Sequence, residues 1–513
     1  MKRITACLLL ACLLLTGCTV GKTPYQPSGD ALHQPTTTPP VTNPEPVEQT
    51  LTLGYRPEKN LNPYTATDLS NRMLFSLLYQ GLFAVDTAYQ VEPILCKNYS
   101  VSKDQKTYVF YLEEATFSDG TALTAADVVA SLRTAMENPV YSGRFGAVSK
   151  IAATAEGAVQ VTLSIPYENF PMLLDVPIVK AGTTNADWPL GTGPYYKQDG
   201  HMGIRLMRRS DWWCSAGLAA TADSILLMEV ESAAALRDDF EFGNITMVCA
   251  DPGTDSYVDY RCDYELWGCE SGVFLYLACN EKSPVFSSRI LRNALTHAID
   301  RDSLVNDFYG GFALSATLPA SPKSPVYNQK LADQYGYDPE KFIQSVQQTA
   351  PSTLRLTLLV NGADSRRIRV ARRIGEMLEV AGFTVTVNAL RDSAYTDALK
   401  RGNYDLHLGQ TRLSPNMDLS AFYNPKGSLS FGGLADAGLY ALCQEAMANV
   451  GNYYTLHQKA MADGMLCPIL FRSNAVYGQR GVLQGLTPAR DNIFYYSLGK
   501  TMEDARIEEI VTE

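Results

Sequence analysis

At 513 residues the chain is too long for one ordinary hydrophobic core, so two or three domains are expected. Hydrophobic residues make up 46% of it and charged residues 19%, which excludes an intrinsically disordered protein. The net charge of −11 argues against nucleic acid or an anionic membrane surface as the main partner; it leaves room for a cationic or zwitterionic ligand.

The N-terminus reads as a targeting segment. Lys2 and Arg3 form a basic start, and residues 4–15 an apolar run too short to span a bilayer. The run ends in Leu15-Thr16-Gly17-Cys18, the pattern of a bacterial lipobox. Small residues there admit the peptidase, and the Cys18 thiol takes the lipid. Residues 1–18 are expected to be a lipoprotein signal peptide, with Cys18 lipidated and the mature protein exported and anchored to the outer face of the cell membrane. An ordinary secretory signal with a chance cysteine is the alternative. Residues 19–47, rich in Pro, Thr and Gln, are expected to be a disordered tether.

The folded part starts near Gln49, where Leu51 and Leu53 alternate as a strand. Residues 69–80 have a helical pattern, with Met73, Leu74, Leu77 and Leu78 on one side and Gly81 as the stop. Tyr108, Phe110 and Leu112 alternate along a second strand, and Asp119-Gly120 makes a tight turn. Thr124 and Asp127 then have the spacing of a helix cap, and Val128, Val129 and Leu132 mark the buried face of the helix that follows. Residues 159–165 alternate as a strand. Gly191-Thr192-Gly193-Pro194-Tyr195 reads as a turn into another; it lacks the third glycine and the following helix that a phosphate cradle needs. Residues 289–299 form an amphipathic helix expected to continue into Asp300-Arg301, with His297 as a packed or capping imidazole. Residues 354–390 read as strand, helix and strand, a β-α-β unit that calls for parallel pairing. Residues 440–449 and 456–465 read as helices.

Chemistry-bearing motifs are scarce. The chain has no G-x-S-x-G, H-E-x-x-H or G-x-x-x-x-G-K-[ST] pattern; Gly499-Lys500-Thr501 ends like the last, but Phe494 stands where its first glycine belongs. Eight cysteines lie beyond Cys18: Cys96, Cys214, Cys249, Cys262, Cys269, Cys279, Cys443 and Cys467. None forms a C-x-x-C pair, and five histidines are few for a metal cage, so no metal or cofactor is expected. Most of these thiols read as small buried side chains, with one disulfide open among Cys249, Cys262, Cys269 and Cys279. The chain reads as a binder rather than an enzyme. Its 29 Tyr, 18 Phe and 4 Trp are enough to line a cleft between two lobes.

Several of these stretches carry a specific wording. Phe110, Leu112, Phe117, Asp119, Gly120, Leu123, Thr124, Ala125, Asp127, Val128 and Ser131 resemble the F-x-L…F-x-DG-x-x-L-TA-x-DV-x-x-S signature of the family 5 extracellular solute-binding proteins, the di- and oligopeptide/nickel-type receptors of ABC importers. Residues 61–64 (LNPY), 79–83 (YQGLF), 191–195 (GTGPY), 292–302 (RNALTHAIDRD) and 337–341 (YDPEK) are similar to further motifs of that family. The resemblance covers roughly residues 50–500. It implies a two-lobed α/β fold of the periplasmic-binding-protein type. A discontinuous first lobe (48–75, 183–280, 475–513), an inserted α/β domain (76–182) and a second lobe (281–474) are expected. It implies a substrate-binding lipoprotein that captures a short peptide or similar small polar solute by hinge closure and delivers it to an ABC permease and ATPase. A surface lipoprotein hydrolase, or a peptide-sensing receptor of the same fold, are the alternatives.

By family position, the ligand-binding candidates are Thr67, Asp68, Asn361, Arg366, Tyr395, Gln410 and Arg412. Peptide-binding members usually carry GW-x-x-D after the strand that starts here at Tyr404-Asp405, its carboxylate taking the ligand's α-ammonium. Here the stretch is Gly409-Gln410-Thr411-Arg412-Leu413-Ser414, without the Trp or the acid. Either Arg412 faces the ligand and favours an anion or neutral polar group, or Asp418 supplies the acid from a shifted loop.

Overall fold

Two long strands, Tyr264–Cys279 and Leu466–Gln479, pair antiparallel along almost their whole length and hold the molecule together. Long runs of both are buried on both faces, which is why their sequences are near-continuously apolar rather than alternating. They are the centre of an 11-stranded mixed sheet. On one side Leu406–Arg412, Arg355–Asn361 and Thr384–Leu390 follow in that order; on the other, Met247–Ala250, Leu51–Tyr55, Ser224–Glu229, Gly203–Arg208 and Tyr195–Gly200. Ala313–Ser315 adds to Leu466–Gln479 off this path. This computed structural model describes residues 51–510 apart from 202, 215, 255–259 and 508–509. The signal segment, Cys18 and the tether lie outside the described residues.

The register of the two long strands breaks between Glu270 and Val273. Gly272 sits there at φ +67°, and a Cβ on it would meet the Arg490 guanidinium. The bulge divides the sheet: residues beyond it pair with Leu406–Arg412, while Met247–Ala250 pairs with the opposite end of Leu466–Gln479.

A smaller antiparallel sheet, ordered Cys96–Val101, Thr107–Leu112, Val159–Leu163 and Val148–Ala153, carries the helix Ala125–Glu137. One apolar core runs through this small sheet and the first half of the large one, joining Phe110, Val128 and Val161 to Leu53, Leu227 and Met247. The second half has its own core, to which residues 76–182 contribute little beyond Val85, Tyr89 and Met172. The small sheet is thus welded to one half and only touches the other. The C-terminal segment joins it too. Glu92 of the small-sheet side accepts hydrogen bonds from Tyr495, Ser497 and the Leu498 and Lys500 amides, and Ile507 N–H donates to Tyr99 O at 2.9 Å.

The expected β-α-β unit is present: Arg355–Asn361, the helix Ser365–Glu379 and Thr384–Leu390, with parallel register from Arg355↔Thr384 to Asn361↔Leu390. Two helices differ from expectation. Residues 69–80 make two short helices, Leu69–Met73 and Phe75–Leu78, because the Leu74 N–H turns back to Asn71 O at 3.1 Å and tightens the turn. The helix from Arg289 ends at Ala298, and Ile299 is extended. Asp300 then caps a separate helix, Arg301–Tyr309, by accepting the Ser303 N–H at 3.1 Å. His297 is packed as expected, its Nδ1 at 2.7 Å from Gly336 O. All eight described cysteines are free thiols.

Candidate ligand-binding cleft

Where the small sheet and the second half of the large sheet face each other, a cavity of about 710 Å³ opens. That is within the usual size of small-ligand sites. One wall is the loop 139–147 after the helix Ala125–Glu137, with residues 164–167. The other wall is residues 411–421, with Asn424, Tyr440 and Met447; Arg72 closes the base. A second cavity of about 120 Å³ lies behind it and shares Arg72, Val140, Tyr141, Arg144 and Arg412 with the first. The partition between the two spaces is therefore largely cationic.

Four guanidiniums and two carboxylates meet there. Arg412, at the end of the strand Leu406–Arg412, pairs with Asp491, and Arg72 lies 3.6 Å from the other oxygen of that carboxylate. Arg144 pairs with Asp175. Arg490 donates to Leu413 O; it is only 5% exposed, its Nε has no partner, and it forms no ion pair among the described residues. Arg144 and Asp175 belong to the same small-sheet region, whereas Arg412 and Asp491 join the end of the strand Leu406–Arg412 to the C-terminal segment. Burial pulls the Asp491 carboxyl upward, but the guanidiniums of Arg412, Arg72, Arg490 and Arg144 outweigh it and hold the group below the usual carboxylate range. Burial lowers the Arg412 guanidinium, against the attraction of Asp491.

Asp418 stands in the wall of the large cavity. Its Oδ1 accepts the Ser420 N–H at 2.8 Å and the Ser420 hydroxyl at 2.7 Å, and no cation pairs with it among the described residues. Burial raises its carboxyl above the ordinary value, partly offset by the Ser420 hydrogen bonds. The cavity thus offers a cationic end, where three guanidiniums share two carboxylates, and at Asp418 a carboxylate with no cation beside it among the described residues.

The far lip is shut by polar contacts. Glu168 N–H donates to Met447 O at 2.8 Å, Val450 N–H donates to the Glu168 carboxylate at 2.8 Å, and Asn416 donates its amide to Tyr167.

Of the seven residues singled out by family position, Arg412 is the one in these cavity walls. Asp68 caps the helix Leu69–Met73 through the Ser70 and Asn71 amides, and Thr67 before it is exposed. Asn361 accepts the Ala363 N–H at 2.9 Å. Arg366 donates to the carbonyls of Pro252, Phe308 and Thr254. Gln410 accepts from Arg472 at 3.0 Å, and Tyr395 packs with Leu359 and Tyr404. Arg72, Arg144 and the adjacent Arg490 and Asp491 were not singled out, because they come from three separate segments. Asp418, the alternative acid, lines the same cavity as Arg412.

The sequence pattern of the bacterial extracellular solute-binding proteins, family 5 Middle, matches residues 90–432. The chain belongs to that family, whose members serve ABC importers and lie outside the cell or in the periplasm. It is 27% identical over 347 residues to the glutathione-binding protein GsiB of Escherichia coli K12, covering 64% of this chain and 67% of that one. The fold is similar to that of the ABC transporter substrate-binding protein CtaP of Listeria monocytogenes (TM-score 0.71, 20% identity, 87% of this chain and 97% of that one). It also resembles the oligopeptide-binding protein AppA of Bacillus subtilis, solved with a nonapeptide (TM-score 0.59, 20% identity, 88% and 99%). Two lobes, with the cleft between them, are the architecture of this family.

Proposed function

We propose that the protein is the ligand-capturing lipoprotein of an ABC importer, anchored through Cys18, and that it closes on a short peptide or similar small zwitterionic solute. The carrying observation is the 710 Å³ cavity, whose wall holds three guanidiniums that share the two carboxylates of Asp491 and Asp175, together with the Asp418 carboxylate, which has no cation partner among the described residues. The ligand's carboxylate meets the guanidiniums of Arg412, Arg72 and Arg144, and its ammonium meets Asp418. Two supports come from the fold. The small sheet shares its core with the first half of the large sheet, so the second half is free to swing as the other body. The long strands break register at Glu270–Val273, where a hinge needs to bend. On this reading the lobes are the two halves of the large sheet, the inserted domain moves with the first, and the lip at Glu168 closes over the ligand. The protein itself performs no bond chemistry; it hands the ligand to the permease.

Native mass spectrometry of the purified protein, offered a mixed pool of di- to pentapeptides, tests this. A retained peptide adduct is expected. A folded protein that retains none, but takes a non-peptide anion, would remove the peptide from the proposal.

A further inference from the structure

The space behind the guanidinium partition is different in character from the cleft in front of it. At about 120 Å³ it is bounded by Phe75, Phe83, Ala84, Val85, Ile94 and Tyr496 in addition to the shared arginines. Phe83, Val85 and Ile94 are almost fully buried. Gln80 and Tyr496 stop its far end, hydrogen-bonded to each other, with Trp213 donating to Gln80 at 2.9 Å. The wall is therefore fixed by its own contacts.

We propose that this space is a side-chain pocket that selects a branched aliphatic residue at the carboxylate end of the captured peptide. The inference rests on the peptide reading above and adds the identity of one residue. Three observations carry it. At the mouth Arg72, Arg144, Arg412 and, at the inner face, Arg490 outnumber the carboxylates Asp175 and Asp491 by four to two, so the part of the ligand that stands there is an anion. The side chain nearest that anion is the one on the same α-carbon, which is the C-terminal residue. Arg490, deeply buried and without an ion pair among the described residues, lines the pocket and gives the carboxylate a further cation at its inner face. Size sets the residue type: a cavity of roughly 150 Å³ accommodates a benzene ring, so a smaller one takes Val, Leu or Ile in preference to Phe.

The test is calorimetric titration of the full chain with two tripeptide series, Ala-Ala-X and X-Ala-Ala, where X is Gly, Ala, Val, Leu, Phe or Lys. In the Ala-Ala-X series Leu or Val is expected to bind roughly 10- to 100-fold more tightly than Gly, with Phe and Lys behind. The X-Ala-Ala series is expected to show no such ranking. Ala84→Leu, which fills the pocket, should flatten the Ala-Ala-X ranking while Ala-Ala-Gly still binds. Ile94→Ala, which enlarges it, should move the optimum toward Phe. Tripeptides that bind without any ranking at the C-terminal position, or an Ala84→Leu protein weakened equally for all of them, overturn the pocket and leave the peptide reading standing. Failure of every tripeptide to bind overturns both.

Discussion

The segments that carry the family's wording and the walls of the cleft treat polar groups in opposite ways. In the motif segments Asp127 and Arg301 spend their bonding capacity inside the fold, although the buried Thr192 hydroxyl finds no partner. Asp127 accepts both the amide and the hydroxyl of Thr124 with one oxygen and the Ala181 N–H with the other. Arg301, buried in the second half, donates to the carbonyls of Ala316, Pro468, Thr296 and Ile299. Gly191 and Gly193 lie where a Cβ would collide with the backbone oxygens of Leu78 and Leu77. In the cleft wall Asp418 keeps an unpaired charge, and in the space behind it Arg490 keeps an unpartnered Nε. Motif residues build the scaffold; on the proposed function Arg412 and Asp418 face the ligand.

The largest effect that sharpens this division is expected at Arg301. Arg301→Met leaves four buried carbonyls without a donor and should lower unfolding free energy by about 3 kcal/mol or more. Urea denaturation measures it, and the ligand affinity of whatever protein remains folded should be unchanged. A large loss of affinity at unchanged stability would erase the distinction between scaffold and site.

Arg412→Ala should do the reverse. Ligand affinity is expected to fall by about 2 kcal/mol, roughly 30-fold, for peptides with a free carboxylate and far less for their C-terminal amides. Stability at neutral pH should change little, because Arg72 still faces Asp491. At acid pH the sign is fixed by linkage. Asp491 has a depressed folded pKa, so its contribution is present above the ordinary aspartate range and is lost as pH falls through the folded value. Removing Arg412 raises that value toward the unfolded one, so the variant should lose less stability on acidification than the parent, and its loss should be complete at a higher pH. An amide series that loses as much affinity as the carboxylates would break the assignment.

A smaller effect is expected at the cap. Thr124→Ala removes the hydroxyl that bonds Asp127 at 2.5 Å and should cost about 1 kcal/mol in thermal or urea unfolding, with no change in binding.

This division also explains what the sequence made legible. Periodicity, turn glycines and caps report local backbone, and they located the strand Thr107–Leu112, the capped helix after it and the β-α-β unit around Ser365–Glu379. The break at Ile299 escaped because the apolar pattern of residues 289–299 runs straight into a second helix, and only the Asp300 cap separates them. The charge cluster escaped for a different reason. Arg72, Arg144, Arg412 and Arg490 are brought together by the sheet and the bulge at Gly272, and nothing in their own neighbours along the chain marks them. Arg412 was found because it replaced an expected residue, not because of any pattern around it. Arg366 looked equally good in sequence, but its guanidinium is occupied by three carbonyls.

The smallest expected change in stability is the most discriminating, because stability and binding move in opposite directions. Asp418 sits in the cavity wall with a folded pKa raised by burial, so its ionised form opposes folding at neutral pH, and that cost disappears as pH falls through the raised value. Asp418→Asn keeps an oxygen to accept the Ser420 N–H and hydroxyl while removing the charge. The unliganded variant should therefore be slightly more stable than the parent at pH 7, and equal to it at acid pH where the parent carboxyl is protonated. Affinity for peptides with a free α-amine should fall by about tenfold, with N-acetylated peptides unaffected. In the parent, amine-dependent affinity should weaken on acidification at a pH above the ordinary aspartate range. A scaffold acid would give the opposite pair of results: loss of stability on substitution, and no distinction between free and acetylated amines.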